Sequence, residues 1–420
     1  MFAERIETGA IVSAPNQNHE NFAQRTERLI PFFGAVTLSK LVALQSGQTL
    51  PQIDMWNSFG HQMDVAYKAQ TRFDGASREE YASQLIDEKY RYFDSIGINT
   101  ANRHIVRDDD LETMTWIQSK LQLLYNEGSI YEDTEAVSVC SLCGNIISVA
   151  TVAFTACSRC KSHDFNIQKR QALFMDLDGD RQKYLAGKVL LPKNSGHING
   201  QFATLPGRVL VSRQRDYGQS LDFLGYEGEV LDPKIGIALL PEMISARFGL
   251  KGITQIQGAS TAKNTVPYTT LLSPDLEAKY MFINYAPKNI SIGTIQEQGV
   301  DFFTKYLPLF MLDKTGDVSD EQLNALRSEH TKTKRKMTNA LMYLRANEGE
   351  VTPLPNEDQV LLTQSLNSVA QQNIRNGVLN LRKYIFEKLG KTYVDTLKAN
   401  GKKVAGNDLD QIETLLQEIF

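Results

Sequence analysis

The sequence predicts an α/β protein: a mainly parallel sheet, interrupted by a metal-binding insertion and followed by a helical C-terminal region. Three observations carry this. Strand-like and helix-like apolar patterns alternate through the first part of the chain, the rhythm of parallel strands joined by crossover helices. The only four cysteines in 420 residues fall as two C-x-x-C pairs in the middle of that rhythm. From residue 317 onward the strand patterns stop and long helical ones take over.

Residues 9–14 (Gly-Ala-Ile-Val-Ser-Ala) read as a short buried strand, closed by Pro15-Asn16. A helix is expected over Arg28–Gln45, with Leu29, Phe33, Val36, Leu41 and Leu44 near helical spacing and Gly47 beyond its end. Residues 51–57 carry a second strand pattern that runs into Ser58-Phe59-Gly60. A helix follows over Ser77–Phe93, and another starts at the acidic cluster Asp108-Asp109-Asp110. That helix places Leu111, Met114, Ile117, Leu121 and Leu124 on one face and stops at Gly128. The three acids are read as stabilising a helix start rather than as a metal site. Apolar runs return at 172–176, 207–212 and 252–258. Ser319 with Gln322 has the spacing of a capping box, and helices are expected over 319–347, 357–390 and 407–420, with Pro353 and Pro355 at the first break.

The cysteines carry the most specific chemistry. Cys140-Ser-Leu-Cys143 and Cys157-Ser-Arg-Cys160 are separated by thirteen residues. Each pair sits on a tight knuckle that turns both sulfurs to one point, and two facing knuckles make the tetrahedral thiolate cage Zn²⁺ prefers. Gly144 suits the turn after the first pair. Four thiolates leave no open coordination position, so the expected zinc is structural. Disulfides would need an oxidising compartment, which nothing in the sequence indicates.

Apolar residues at 42% and charged residues at 22% are ordinary globular values, and 420 residues exceed one ordinary core. A net charge of −4 exerts no general pull toward nucleic acid or anionic membrane. The opening Met-Phe-Ala-Glu-Arg-Ile-Glu-Thr has acids where a secretory leader is basic. No apolar run approaches the roughly 20 residues that span a bilayer. The expectation is a cytoplasmic protein with reduced thiols and no membrane partner.

Four further segments occur in order over about residues 8–310: Trp56-Asn-Ser-Phe-Gly-His61; Leu124-Tyr-Asn-Glu-Gly-Ser-Ile-Tyr131, nine residues before the first cysteine; Arg208-Val-Leu-Val-Ser-Arg-Gln-Arg-Asp-Tyr-Gly218; and Ile256-Gln-Gly-Ala-Ser-Thr-Ala-Lys-Asn264. They resemble the G-W-D-x-F-G, L-Y-E-K-G-x-I-Y, I-S-R-Q-x-x-W-G and V-N-G-x-K-M-S-K-S segments of class I aminoacyl-tRNA synthetases of the leucyl, isoleucyl, valyl and methionyl group. The small insertion leaves no room for an editing domain, so the methionyl type is the nearest resemblance. It implies a Rossmann-type catalytic domain in two halves (1–135 and 169–316), a zinc-ribbon insertion (136–168) and a helical C-terminal domain (317–420). It also implies ATP, with Mg²⁺, as a substrate beside an amino acid.

The sequence departs from that family at its signatures. No H-x-G-H follows Pro15-Asn16; His19 and Arg25 are the cations available to replace it, and the glycine that lets a helix end approach ATP is missing. Of the signature lysines only Lys263 has a counterpart, on a segment expected to be an exposed small-residue loop suited to a phosphate clamp or simply a surface lysine. Asn57 replaces the aspartate of G-W-D. Asp232-Pro-Lys-Ile-Gly236 resembles D-A-P-I-G, and Asp232 also aligns with a later ribose-contacting segment. Candidate catalytic residues are therefore Lys263, His19 and Arg25; candidate substrate contacts are Trp56, Asn57, His61, Arg213, Asp232 and Gly236. Each has a plainer reading beside it: Trp56 and Phe59 as core, His61 packed on Trp56, Arg213 and Arg215 as solvated.

Two function classes follow. One is ATP-dependent amino-acid activation with transfer to a small-molecule acceptor or to tRNA; the other is a non-catalytic relative that binds tRNA or a protein. Residues 318–420 hold 14 Lys and Arg against 13 Asp and Glu, too even a balance for a strong nucleic-acid reader. The acid-free cluster Lys332, Lys334, Arg335, Lys336 and Arg345 argues the other way, and spreads around a helix.

Overall fold

The computed structural model describes residues 9–17, 29–46, 49–69, 72–143, 146–149, 156–157, 160–177, 181–189, 205–283, 295–297, 299–313 and 318–345, with isolated positions in 198–202 and 410–417. The chain runs β1 (Ala10–Ser13), β2 (Asn16–Gln17), α1 (Ile30–Ser46), β3 (Gln52–Asn57), α2 (His61–Ala69), α3 (Arg78–Ser95), β4 (Arg103–Arg107) and α4 (Leu111–Asn126). Next come β5 (Tyr131–Cys140), β6 (Ile146–Val149) and β7 (Phe165–Asp176). Then follow β8 (Arg208–Leu210), β9 (Ser212–Gln214), β10 (Glu229–Leu231), α5 (Pro233–Phe248), β11 (Gly252–Gly258), α6 (Ala259–Leu272) and β12 (Glu277–Ile283). The helices α7 (Leu307–Asp313) and α8 (Asp320–Arg345) close the described chain, α7 entered through a π-helical turn at Phe302–Tyr306.

One extended segment organises the sheet. Its first part, β1, pairs in parallel with β11, and β11 pairs in parallel with β12. Pro15 has no N–H to give, and beyond it the segment changes sides: β2 pairs in parallel with β3, and β3 with β4. The spatial order is therefore β12, β11, β1–β2, β3, β4. The first strand lies in the middle, the next two step out on one side and the last two on the other. This is the strand order of a Rossmann-type sheet, and the direction of winding reverses between β1 and β11.

Helices cover both faces. On one, α4, α5 and α6 build a core from Val12, Met55, Val106, Ile117, Leu121, Leu239, Ile253 and Phe282. On the other lies α1, buried from Ile30 through Ser39, because Phe33 and its neighbours meet Phe93 of α3 while Gly34 meets Ile256, Ile283 and Pro308. A helix apolar all round is one enclosed on all sides.

Strands at 9–14, 51–57 and 252–258 and helices near Arg28, Ser77 and Leu111 fall where the patterns put them. Ser77 and Glu80 close a reciprocal capping box on α3, as do Ser319 and Gln322 at the start of α8. Two details differ on α4. Leu111 is 77% exposed, and Thr113 takes the buried position. The three acids make no side-chain cap: Asp110 accepts the N–H of Arg107, Asp109 pairs with the Arg107 guanidinium, and Asp108 turns into the protein. Helix α8 ends at Arg345; the expected helix 357–390 lies outside the described residues, as does nearly all of 407–420. Among the described residues no helix is long and apolar enough to cross a membrane.

Candidate functional site

The four cysteines meet at the end of a long antiparallel ladder. Strands β5 and β7 pair from Tyr131 opposite Phe174 to Cys140 opposite Phe165, so the ladder delivers Cys140 to the first knuckle. Both expected insertion borders, 135/136 and 168/169, fall inside these strands. The knuckles are fixed by backbone hydrogen bonds, Ser141 N–H to the Asp164 carbonyl at 3.0 Å and Cys157 N–H to the Ser162 carbonyl at 2.8 Å. All four Sγ atoms lie within 4.8 Å of one another; Cys140 and Cys160 are 3.4 Å apart, Cys143 and Cys157 3.7 Å. A tetrahedral Zn²⁺ with bonds of about 2.3 Å sets its sulfurs about 3.8 Å apart, so the donor set fits zinc in number, kind and spacing. Four sulfurs would close the coordination sphere of a bound zinc and leave no catalytic position.

A second group of residues lies at the carboxyl ends of the parallel strands, where an open α/β sheet receives its ligands beside the reversal of winding. Strand β3 ends at Asn57, 8% exposed, whose Oδ1 has no partner. The turn after it is held by Asp108, at the end of β4, which accepts the N–H of Ser58 at 2.6 Å and that of Phe59 at 3.3 Å. Asp108 is 2% exposed; burial, with the neighbouring Asp109 charge, pushes its carboxyl up to about 7. Arg78 donates to the Ser58 carbonyl at 2.8 Å and to Asp64 at 2.9 Å, under the ring of Tyr217. Asp64 also takes Arg215. Arg215, expected to be solvated, instead ties the segment after the insertion to α2.

The third part is the start of α5. Asp232 is its N-cap and accepts the Lys234 N–H at 2.8 Å, with Pro233 at the first helical position. The other carboxylate oxygen pairs with Arg213 of β9, so Asp232, 4% exposed, is fully engaged. Gly236 is buried in the first turn and its N–H donates to the Asp232 carbonyl. Burial lowers the Lys234 ammonium, against the raising effect of Asp232, and Arg213 and Lys263 lower it further. Three cations thus share one field: Arg213, Lys234 and Lys263.

Lys263 does not stand on a loop. Strand β11 passes directly into α6, and Lys263 is half-buried within that helix. The loop expected over Ala259-Ser-Thr-Ala262 is therefore corrected: these residues are the first turn of α6. Trp56 is likewise corrected as a substrate contact: it is 0% exposed, donates its indole N–H to the Tyr90 hydroxyl at 3.3 Å, and has the Lys89 ammonium 4.6 Å from its ring centre. It is core. His61 opens α2, and its side chain lies outside the described residues, as do His19 and Arg25. The structure brings Arg213, Asp232 and Gly236 together at the start of α5, and the charge of Lys263 acts on Lys234 there. Asn57 ends a neighbouring strand of the same edge.

Comparison with protein-family models and with curated proteins finds no match. Solved structures match over nearly the whole chain. Methionyl-tRNA synthetase of Mycobacterium tuberculosis, bound by methionyl-adenylate, has a TM-score of 0.65 at 12% identity, covering 98% of this chain and 88% of that one. The chain has the fold of a class I aminoacyl-tRNA synthetase. A second structure of that enzyme with methionyl-adenylate gives 0.64 at 12% identity, with the same coverage. The agnB2 LeuRS of Agrobacterium radiobacter K84, in a ternary complex with tRNA and LeuAMS, gives 0.62 at 11% identity, covering 98% of this chain and 83% of that one.

Some of the site was beyond sequence reading. Asp108 was visible only as one of three acids, and its role depends on β4 ending beside β3. Arg78 lies in the expected helix Ser77–Phe93, and nothing local marks it as a contact to the β3 turn. Lys234 sat inside a recognised segment and gained meaning only from its neighbours in space.

Proposed function

We propose that the protein activates an amino acid with ATP. The amino-acid carboxylate attacks the α-phosphorus, pyrophosphate leaves, and the aminoacyl-adenylate passes its acyl group to the nucleophile of an acceptor with release of AMP. The observation that carries this reading is the capped start of α5 at the carboxyl edge of the sheet, where Asp232 holds Arg213 and the charges of Arg213 and Lys263 act on Lys234. Positive charge fixed beforehand at that edge stabilises the negative charge that grows on the departing pyrophosphate, and it does so without reorganisation during the step. Asp232 holds Arg213 in place and orients the α5 N-terminus at once. ATP enters as its Mg²⁺ complex, the ion supplying charge neutralisation along the phosphates.

The Cys140, Cys143, Cys157 and Cys160 centre holds the insertion's shape and takes no part in the chemistry. A small-molecule acceptor suits the C-terminal region better than tRNA. Its charge is nearly balanced, and Lys334, one of the five clustered basic residues, is paired with Asp301. The test is amino-acid-dependent exchange of labelled pyrophosphate into ATP: exchange above background with one or more of the twenty amino acids supports activation. A protein that folds with full zinc content but exchanges with none is the non-catalytic relative.

A further inference from the structure

Strand β11 carries two glutamines, Gln255 and Gln257, on the sheet face that α6 covers. They are 2% and 0% exposed. Successive odd positions of a strand share a face, so the two amides sit one above the other along β11 toward its carboxyl end. The Gln257 amide is engaged on one side by the Thr265 hydroxyl of α6, at 2.7 Å. Its other half has no partner, and neither has the Gln255 amide nitrogen. Turning the Gln257 amide over leaves the count unchanged, because Thr265 also reaches the Thr261 carbonyl and can accept instead. On the flanks Gln255 has Val12 in register on β1 and Tyr280 in register on β12. Two buried amides with open hydrogen-bonding capacity therefore lie next to the reversal of winding, beneath α6.

Buried polar atoms are paired in folded proteins with few exceptions, and an unpaired one calls for a ligand atom or an ordered water. Pockets for methionine- or leucine-like side chains need neither amide. Of an aminoacyl-adenylate, the phosphates must keep an open route for pyrophosphate to leave, close to Lys234 and Lys263. The amino-acid side chain is the part that can be enclosed.

We propose that the activated amino acid has a hydrogen-bonding side chain, such as an amide, hydroxyl or carboxylate, and that Gln255 and Gln257 select it. This rests on the activation reading above and adds the substrate class. A site whose buried groups hydrogen-bond the substrate rejects an analogue that lacks the group, since binding it leaves those groups unpaired; such selection reaches 10⁴-fold or more in other enzymes, on the order of 100-fold at least for two amides.

The experiment is pyrophosphate exchange with the full chain and each of the twenty amino acids, run beside thermal-shift binding of the same amino acids. Expected is exchange with a polar amino acid whose kcat/KM exceeds those of methionine, leucine, isoleucine and valine by about 100-fold or more. Gln257→Leu, with its melting temperature checked, lowers that preference at least about tenfold, while Gln257→Glu, which keeps a hydrogen-bonding end, retains part of it. Preference for an aliphatic or thioether amino acid overturns the proposal, as does an unchanged preference in a folded Gln257→Leu. Selective binding of a polar amino acid without any exchange upholds the pocket and removes the activation reading. Neither exchange nor selective binding overturns both.

Discussion

The carboxylate of Asp108 accepts the backbone N–H of Ser58 at 2.6 Å, joining the end of β4 to the turn that leaves β3. One buried acid thereby shapes the carboxyl edge of half the sheet. Its folded-state value of about 7 lies above the ordinary value near 3.9 for an unfolded chain. Between those values the folded protein holds a proton that the unfolded chain has lost, so Asp108 lowers stability as pH rises from about 4 to 7. Asp108→Asn keeps an acceptor for Ser58 and cannot ionise. The variant is expected to gain on the wild type between pH 5 and 8, by on the order of 2–4 kcal/mol. Urea titrations across that range check it; a constant difference between the two proteins contradicts it.

The four-cysteine cluster is expected to make the fold metal-dependent. One Zn²⁺ per chain is expected in reduced protein, bound by Cys140, Cys143, Cys157 and Cys160, and contributing on the order of 10 kcal/mol to the local fold. Cys157→Ser strips the metal and exposes the β5–β7 arm to proteolysis. Elemental analysis far below one zinc per chain would sink this assignment.

Asp232 serves both a helix and a guanidinium. Asp232→Ala removes the α5 cap, worth about 1 kcal/mol, and leaves Arg213 without its carboxylate, for a total loss of about 2–3 kcal/mol. Asp232→Asn restores the cap without the charge and recovers about half. Denaturant midpoints decide it: equal losses for both variants would show that the cap contributes nothing.

In the proposed activation step, Lys263 acts on charge that develops during the reaction. Lys263→Ala is expected to slow adenylate formation about 100-fold while leaving amino-acid affinity nearly unchanged. Its seat on α6, rather than on a mobile loop, makes this a fixed cation; full turnover in the alanine variant would place the transition-state charge elsewhere.

Binding to tRNA at about 150 mM salt is expected to be weaker than micromolar, since affinity for a phosphate backbone grows with the number of cationic contacts and falls with salt. Filter binding checks it. Submicromolar affinity, lost when Lys332, Lys334, Arg335, Lys336 and Arg345 become glutamine, would make tRNA the acceptor.

Local signals made much of this legible. The C-x-x-C spacing marks a four-cysteine cluster because each knuckle is a short-range structure, and the strand pattern at 9–14 is a short apolar run, while those at 51–57 and 252–258 mix apolar with polar residues. Strands β4 and β12 escaped notice, their apolar residues being broken by Arg103, His104, Arg107 and Lys279. The small-residue stretch before Lys263 pointed to a loop because glycine and serine resist helices, and tertiary packing outweighed that preference. Gln255 and Gln257 read as ordinary polar strand residues. Only the cover of α6 turns them into buried amides whose nitrogens lack partners.

The account turns on whether this edge of the sheet makes an acyl-adenylate. Incubating the protein with ATP, Mg²⁺, pyrophosphatase and a mixture of the twenty amino acids, then desalting and analysing the retained small molecules by mass spectrometry, answers this directly. The prediction is an aminoacyl-AMP retained at close to one per chain, absent without ATP and much reduced in Lys263→Ala. Protein that emerges with its zinc in place and no adenylate, or that releases ADP and phosphate instead of AMP and pyrophosphate, contradicts it.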